Sequence, residues 1–316
     1  MLNKTVLLLE TVSDEAQALL DQHVQVLMAP SPAEGGSIAG KEPIHAIITR
    51  GKGEVNEELL LLCPQLEVVA RCGVGLDNVN VQAATRQRVK VVFAPGSNAD
   101  TVAEHTLALM LCLQRNLYNT ATAVKNGNWQ YRNQYQGDEI RGKKLGIIGM
   151  GHIGQKVAKL AAVFGMEIAY WSRTDQGLPY QALSLDELLR TSDIVSLHLP
   201  LTNQTRHLID TAAFKKMQPH ALLVNTARGA VIDQRALTEA LQTGTIGGFA
   251  ADVLDGQPPA ADDPLLTFPN VLITPHAASL TARTFNEMCV TTVQNVLDLL
   301  SGKNVDNRFI FNHLQF

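Results

Sequence analysis

The chain has 316 residues, 46% of them apolar and 18% charged, with 26 Lys and Arg against 30 Asp and Glu for a net charge of −4. That length suffices for two domains with separate cores, and the balance is that of a soluble globular protein. With no long Lys/Arg run and no apolar stretch of membrane-spanning length, nucleic acid and membrane are set aside as partners, and the expected compartment is the cytoplasm.

The amino terminus, Met1-Leu-Asn-Lys-Thr-Val-Leu-Leu-Leu-Glu10, holds a short apolar run bounded by charge, too short for a signal peptide, and reads as a first buried strand. Apolar runs at Val6–Leu9, Ala46–Ile48, Val68–Ala70 and Val91–Phe93 have helical or loop segments between them and predict one small α/β unit. Residues 100 to about 117 then predict a long helix, apolar on most sides, with Asn98 or Asp100 as its cap. A helix so apolar is expected between layers or domains.

Next, the strand-like Lys144-Leu-Gly-Ile-Ile148 breaks into Gly149-Met-Gly151-His152-Ile153-Gly154 and then into the helical Gln155–Phe164. This is a dinucleotide fingerprint in its required setting. Gly149 allows the tight turn, Gly151 lets a diphosphate approach the backbone, and Gly154 lets the helix pack on the strand. The helix start, with its exposed N–H groups and dipole, favours an anion. Strands at Glu167–Trp171, Asp193–Leu199, Ala221–Asn225, Gly248–Val253 and Val271–Thr274 follow, alternating with helices, one of which opens with a capping box at Ser184-Leu-Asp-Glu187. The pattern is a doubly wound nucleotide domain. A last helix near Thr281 to Leu300 is expected to return to the first unit. Cys63, Cys72, Cys112 and Cys289 lack C-x-x-C spacing and read as buried free thiols, with no metal site and no disulfide.

Ligands of open parallel sheets bind beyond the carboxyl ends of the strands. The polar residues there are Ser172-Arg173-Thr174, His198-Leu-Pro200, Asn225-Thr226-Ala227-Arg228-Gly229, Asp252 and Pro275-His276. Singly, each has an ordinary explanation: a loop histidine, a solvated guanidinium, a capping aspartate. Together they fall on one edge of one sheet, where a cofactor would lie.

Leu145–Gly154, Asp193–Thr202, Val224-Asn-Thr-Ala-Arg-Gly229 and Thr274-Pro-His-Ala277 resemble the signatures of the D-isomer-specific 2-hydroxyacid dehydrogenases. The resemblance extends to Arg71-Cys-Gly-Val-Gly-Leu-Asp-Asn78 and Ser97–Glu104 and so covers nearly the whole chain. It implies two doubly wound α/β domains: a Rossmann NAD(P)-binding domain, residues 99–285, inserted into a flavodoxin-like substrate domain, residues 1–98 plus 286–316. By the resemblance, Arg228 binds the substrate carboxylate and polarises its 2-oxo group, a bidentate task suited to guanidinium. His276 matches the acid/base for the hydroxyl proton. The N–H groups of Val74 and Gly75 hold the carboxylate, and Asp252 orients the nicotinamide carboxamide; Asn98 is a further substrate candidate, and Arg50, after the Ile47-Ile-Thr49 strand, either adds a positive charge there or is a solvated loop arginine. Along the cofactor fall Gly149, Gly151, His152, Ile153, Gly154, Ser172, Arg173, Thr174, His198, Pro200, Thr205, Thr226, Ala227, His276 and Ala278.

Two positions depart from the commonest family pattern. Where an acidic residue would bind the adenosine ribose hydroxyls, the chain reads Tyr170-Trp-Ser172-Arg173-Thr174. A hydroxyl and a guanidinium there suit a 2′-phosphate, so NADP(H) is the preferred cofactor and NAD(H) the second, with Asp175 nearby weakening that preference. Where the family has a catalytic glutamate beside the histidine, this chain has Gln257. Glutamine can orient His276 but supplies no charge, and losing a neighbouring anion lowers a histidine pKa by roughly 1–3 units. Reduction is therefore expected to be strongest at mildly acid pH, with Asp255 a partial substitute if its loop folds toward the histidine.

The expected activity is reduction of a short 2-oxo acid, glyoxylate or hydroxypyruvate, to the D-2-hydroxy acid by a homodimer joined through apolar helices such as 100–117. Phosphoglycerate dehydrogenase is an alternative from the amino-terminal motifs, although no regulatory domain follows Phe316. The Gln257–His276 pair and Asn98 also resemble formate dehydrogenases, but Thr274–Ser279 is not their ending. A non-catalytic dinucleotide sensor is the alternative from another class, opposed by the presence of both Arg228 and His276.

Overall fold

The computed structural model describes residues 2–174 and 177–315. Asp175, which bears on the cofactor preference, lies outside the described residues. The chain forms two compact units, Met1–Asn98 with Leu280–Phe316, and Ala99–Ser279.

Unit 1 runs β1 (Thr5–Leu8), α1 (Asp14–His23), β2 (Gln25–Met28), α2 (Gly36–Ala39), β3 (Ala46–Thr49), α3 (Glu57–Leu61), β4 (Val68–Arg71), α4 (Val81–Arg86) and β5 (Lys90–Val92). All pairings are parallel, in the order β2-β1-β3-β4-β5. Every residue of β1 and β3 is buried because both faces of the sheet are covered. On one face Val6, Leu8, Ile48 and Ala70 pack with Cys289, Val293 and Val296; on the other Leu7, Ile47 and Val69 pack with Leu60 and Ala84. The edge strand β2 was not expected from the sequence, since Gln25 and Met28 are exposed and break the apolar run.

Unit 2 runs α5 (Ala99–Gln114), α6 (Leu117–Lys125), β6 (Lys144–Ile148), α7 (His152–Val163), β7 (Glu167–Trp171), β8 (Gln181–Ala182), α8 (Leu185–Thr191), β9 (Ile194–Leu197), α9 (Thr211–Phe214), β10 (Leu222–Asn225), α10 (Gln234–Gln242), β11 (Gly248–Ala251) and β12 (Val271–Ile273). The order is β12-β11-β10-β9-β6-β7-β8, again parallel. Ser184 caps α8 by accepting from the Glu187 N–H, as the capping box requires. Helix α11 (Ala282–Leu300), capped by Thr281, belongs to unit 1. The second crossing between units therefore falls after Ser279, not between 285 and 286, because α11 is one uninterrupted helix packed on α1 and β4.

The apolar helix of residues 100–117 lies between layers, one of the two settings expected of it. It ends at Gln114, since Asn116 turns left-handed (φ 47°) before α6, and it buries Val102, Ala103, Leu107, Leu109 and Met110 against α7 and its own sheet. Leu111, Cys112 and Leu113 near its end stay partly exposed. Asn98 does not cap it: the Asn98 Oδ1 is buried and has no hydrogen-bond partner among the described residues.

Both strand orders contain a reversal of winding. In unit 1 it lies between β1 and β3, and in unit 2 between β6 and β9. Ligand crevices of such sheets open at the carboxyl ends of those strands.

Candidate active site

At the unit 2 reversal, β6 is followed by Gly149, whose φ of 100° is open to glycine but strained for any other residue. A Cβ on Gly149 would stand 2.4 Å from the His198 carbonyl oxygen, and one on Gly154 2.2 Å from the Gly149 oxygen, so both glycines are required by packing. Gly151 differs. It is the N-cap of α7 with no side-chain cap, and a Cβ there would meet nothing within 4 Å. A twelve-residue helix thus presents its amino end, His152 and Ile153 included, to open space. This is the cradle a diphosphate needs, so the residues suit a dinucleotide. Beyond β7, Ser172 is half-buried while Arg173 and Thr174 are exposed, leaving no acidic side chain among residues 172–174.

Beyond β9, the His198 Nε2 lies 2.9 Å from the Ser196 hydroxyl, while its buried Nδ1 has no partner among the described residues. Burial pushes this imidazole down to about 3, so it stays neutral at neutral pH. The Thr205 hydroxyl donates to the Pro200 carbonyl (2.7 Å) and accepts from the Thr202 N–H (2.8 Å), so it shapes the 200–205 turn rather than projecting from it. Thr226 contacts Thr106 of α5 through their hydroxyls at 2.8 Å.

Arg228 follows β10, where Asn225 folds back beneath it. The Asn225 side chain accepts from the Ala227 N–H (3.0 Å) and donates to the Arg228 carbonyl (2.9 Å), while the Arg228 Nη1 donates to the Ala227 carbonyl at 2.7 Å. A Cβ on Gly229 would fall 1.9 Å from the Leu254 carbonyl carbon, so close backbone packing fixes the next residue too.

His276 sits on an exposed turn after β12 in a left-handed conformation (φ 56°). Asp252, buried at the end of β11, holds that turn. Its Oδ1 accepts from the Thr274 hydroxyl (2.6 Å) and the Ala277 N–H (2.8 Å), and its Oδ2 from the Ala278 N–H (2.8 Å). His105 on α5 reinforces the turn, its Nε2 lying 3.1 Å from the Thr274 hydroxyl and 3.7 Å from Asp252. Sequence reasoning missed His105; its signal would have been a lone imidazole on an otherwise buried helix. The Gln257 Nε2 lies 3.3 Å from the His276 Nδ1. A neutral amide therefore occupies the place expected of an anion, and the amide can present NH₂ to a neutral ring or its oxygen to a protonated one. Asp255 is instead 3.8 Å from His207.

The unit 1 candidates gather at the other reversal. Arg50 follows β3, with its guanidinium carbon 5.1 Å from the Phe285 ring centroid. The N–H groups of Val74 and Gly75, in the turn after β4, donate to no acceptor among the described residues. Asn98 closes the first segment of the unit. No group of three His, Cys, Asp or Glu suited to a metal ion occurs among the described residues, and no described helix is long and apolar enough to cross a membrane. All four cysteines are free; Cys112 is only half-buried.

The NAD-binding domain model of the D-isomer specific 2-hydroxyacid dehydrogenases matches residues 107–278. The chain belongs to that family. A glyoxylate reductase from Aeropyrum pernix is 39% identical over 315 residues, 94% of each protein. A D-3-phosphoglycerate dehydrogenase from Archaeoglobus fulgidus is 33% identical over 96% of this chain, which spans 58% of that longer relative. Among solved structures, an NADPH-dependent glyoxylate/hydroxypyruvate reductase from Sinorhizobium meliloti, in complex with NADP and malonate, superposes with a TM-score of 0.86 at 27% identity, covering 95% of this chain and 94% of that one. The chain is thus a nicotinamide-dinucleotide dehydrogenase of the D-2-hydroxyacid family.

Proposed function

We propose that this dehydrogenase reduces a short 2-oxo acid of the glyoxylate or hydroxypyruvate kind to its D-2-hydroxy acid, with NADP(H) preferred over NAD(H). The observation that carries the reading is the His276 imidazole, held on a turn pinned by Asp252 and contacted at Nδ1 by Gln257. The bound nicotinamide supplies the hydride in reduction and accepts it in oxidation. The uncapped start of α7 and the glycines around it hold the diphosphate. Ser172, Arg173 and Thr174 receive the 2′-phosphate, because a hydroxyl and a guanidinium attract what a carboxylate would repel. Beside its structural duty, Asp252 orients the carboxamide.

Arg228 binds the substrate carboxylate and polarises the 2-oxo group, and the Val74 and Gly75 N–H groups, with Arg50, bind the carboxylate from unit 1. Protonated His276, its Nδ1–H accepted by the Gln257 amide oxygen, passes the Nε2 proton to the forming alkoxide, and the resulting neutral ring takes a proton back at Nε2 in the reverse direction. A homodimer is proposed through α6 and the segment that follows, where Leu117, Tyr118, Val124 and Trp129 stand exposed.

Initial rates of NADPH and NADH oxidation with glyoxylate, hydroxypyruvate, pyruvate, phenylpyruvate and phosphohydroxypyruvate test the proposal. Turnover of a small unphosphorylated acid, faster with NADPH and falling about 10²–10⁴-fold in His276→Ala, is the expected result. Equal efficiency with both cofactors overturns the Ser172–Arg173 assignment. Preference for phosphohydroxypyruvate favours the phosphoglycerate dehydrogenase alternative, and tight nucleotide binding without turnover favours the sensor.

A further inference from the structure

Glu10 lies just past the end of β1, at the reversal point of the unit 1 sheet, with only 4% of its side chain exposed. One oxygen, Oε2, accepts from four consecutive backbone N–H groups: Arg50 (2.8 Å), Gly51 (2.7 Å), Lys52 (2.9 Å) and Gly53 (3.1 Å). Successive N–H groups converging on one point form an anion-binding nest, and here the anion is the protein's own carboxylate. The other oxygen lies 3.8 Å from the Arg50 Nε. The loop is shaped for this arrangement, since a Cβ on Gly53 would come within 2.6 Å of the Leu9 Cβ.

The cluster extends to a second loop. The buried Thr49 hydroxyl lies 3.1 Å from Glu10 Oε2 and 2.8 Å from the Gly53 carbonyl, donating its single proton to one of them at a time. It accepts from the Asn78 Nδ2 at 3.1 Å, and the same amide donates to the Gly53 carbonyl at 2.7 Å. The Asn78 carbonyl in turn accepts from the Val55 N–H at 2.8 Å. Asn78 closes the turn that carries Val74 and Gly75.

We propose that Glu10 is a positioning residue for substrate binding: through Thr49 and Asn78 its carboxylate holds the Arg50 loop and the Val74–Gly75 turn in the arrangement that receives a 2-oxo acid's carboxylate. The proposal rests on the substrate roles given above to Arg50, Val74 and Gly75. A carboxylate suits the task because charge-assisted hydrogen bonds are roughly twice as strong as neutral ones, and four of them fix a loop that neutral partners would leave mobile. Neither Glu10 nor Asn78 needs to touch the substrate, so their loss appears in KM, while nucleotide binding in unit 2 is untouched.

The test compares Glu10→Gln, Asn78→Leu and Arg50→Ala in the full-length protein, reading KM and kcat for the best 2-oxo acid, the NADPH dissociation constant and Tm. Glu10→Gln keeps the shape and removes the charge. It is expected to raise KM about tenfold, with kcat and NADPH affinity within about twofold. Asn78→Leu should act in the same direction, about threefold or more, and it answers the question if Glu10→Gln does not fold. In an Arg50→Ala background the Glu10→Gln effect should shrink, because part of what Glu10 positions is then gone. If Arg50→Ala raises KM while Glu10→Gln and Asn78→Leu leave it unchanged at wild-type Tm, the inference is overturned and the substrate reading stands. If Arg50→Ala itself leaves KM unchanged, the role of Arg50 falls and the inference with it. An effect confined to a loss of Tm, with KM constant, assigns Glu10 to stability alone and also overturns the proposal.

Discussion

The two sheets solve the same electrostatic problem in opposite ways. At the unit 1 reversal, four backbone N–H groups converge on Glu10, and the chain supplies the anion itself. At the unit 2 reversal, the start of α7 carries the same kind of convergent donors, but its N-cap is Gly151 and no side chain caps it. Filled from within, a nest becomes a structural clamp; left to glycine, it becomes a binding site. The difference is one side chain at one position, which makes it easy to reverse.

The largest effect is expected from Gly151→Asp, which installs in unit 2 what Glu10 is in unit 1. The backbone at Gly151 is extended (φ −75°, ψ −162°), and the space around a Cβ is open, so the fold accepts the residue and an aspartate N-cap can even raise Tm. Facing the diphosphate, the carboxylate should weaken NADPH binding on the order of a thousandfold, since like-charge juxtaposition costs several kcal/mol. Titration calorimetry showing unchanged affinity would mean the diphosphate does not lie there.

The converse change, Glu10→Ala, empties the unit 1 nest. It should cost about 3 kcal/mol of stability, because each buried donor left unsatisfied costs about 1–3 kcal/mol and water recovers part of the loss. The carboxylate also predicts a pH signature. Burial alone would raise its pKa, but the N–H groups of Gly51, Arg50, Gly53 and Lys52 outweigh it and hold the group below its usual value near 4.5. A depressed folded pKa gives stability that is present above pH 4.5 and lost as pH falls through the folded value. The Tm gap between wild type and Glu10→Gln should therefore be constant from pH 7 to pH 5 and narrow as pH falls below about 4.5; a gap that does not narrow below that pH would contradict the clamp.

The smallest effect asks the same question of charge at the turn of His276. Gln257→Glu places an anion 3.3 Å from Nδ1 if the side chain keeps its position, and an adjacent anion raises a histidine pKa by about 1–3 units. The acid limb of reduction should extend toward neutral pH by that amount. An unmoved pH–rate profile would remove His276 from the proton transfer.

Much of this was legible in the sequence because it is local. The strands that both faces of a sheet cover are near-continuous apolar runs, and the glycine fingerprint with its flanking strand and helix spans barely twenty residues. What escaped was non-local or weakly patterned. Strand β2 hides because an edge strand with exposed Gln25 and Met28 has no apolar run to show, and β8 has only two residues. Glu10 escaped because its partners lie forty residues away in sequence and are backbone groups, which carry no residue signature. The helix of residues 100–117 was legible only in part: it was read as lying between layers or between domains, and sequence alone cannot tell which of these covers an apolar face. Asp252 was read both as a capping aspartate and as a ligand residue, and its two oxygens take three donors from residues 274–278, which sequence could not number.

The left-handed backbone at His276 limits how its chemistry can be measured and how the position can vary. Left-handed φ is uncommon for residues other than glycine, while Asn, Asp and His tolerate it best. Alanine at 276 therefore removes the imidazole and at the same time presses the turn toward another shape, so its rate loss mixes a missing proton donor with a displaced loop. Asparagine keeps the turn and removes only the titrating group. The same constraint means that natural substitution here, where it occurs, is confined to a few side chains, whatever the substrate.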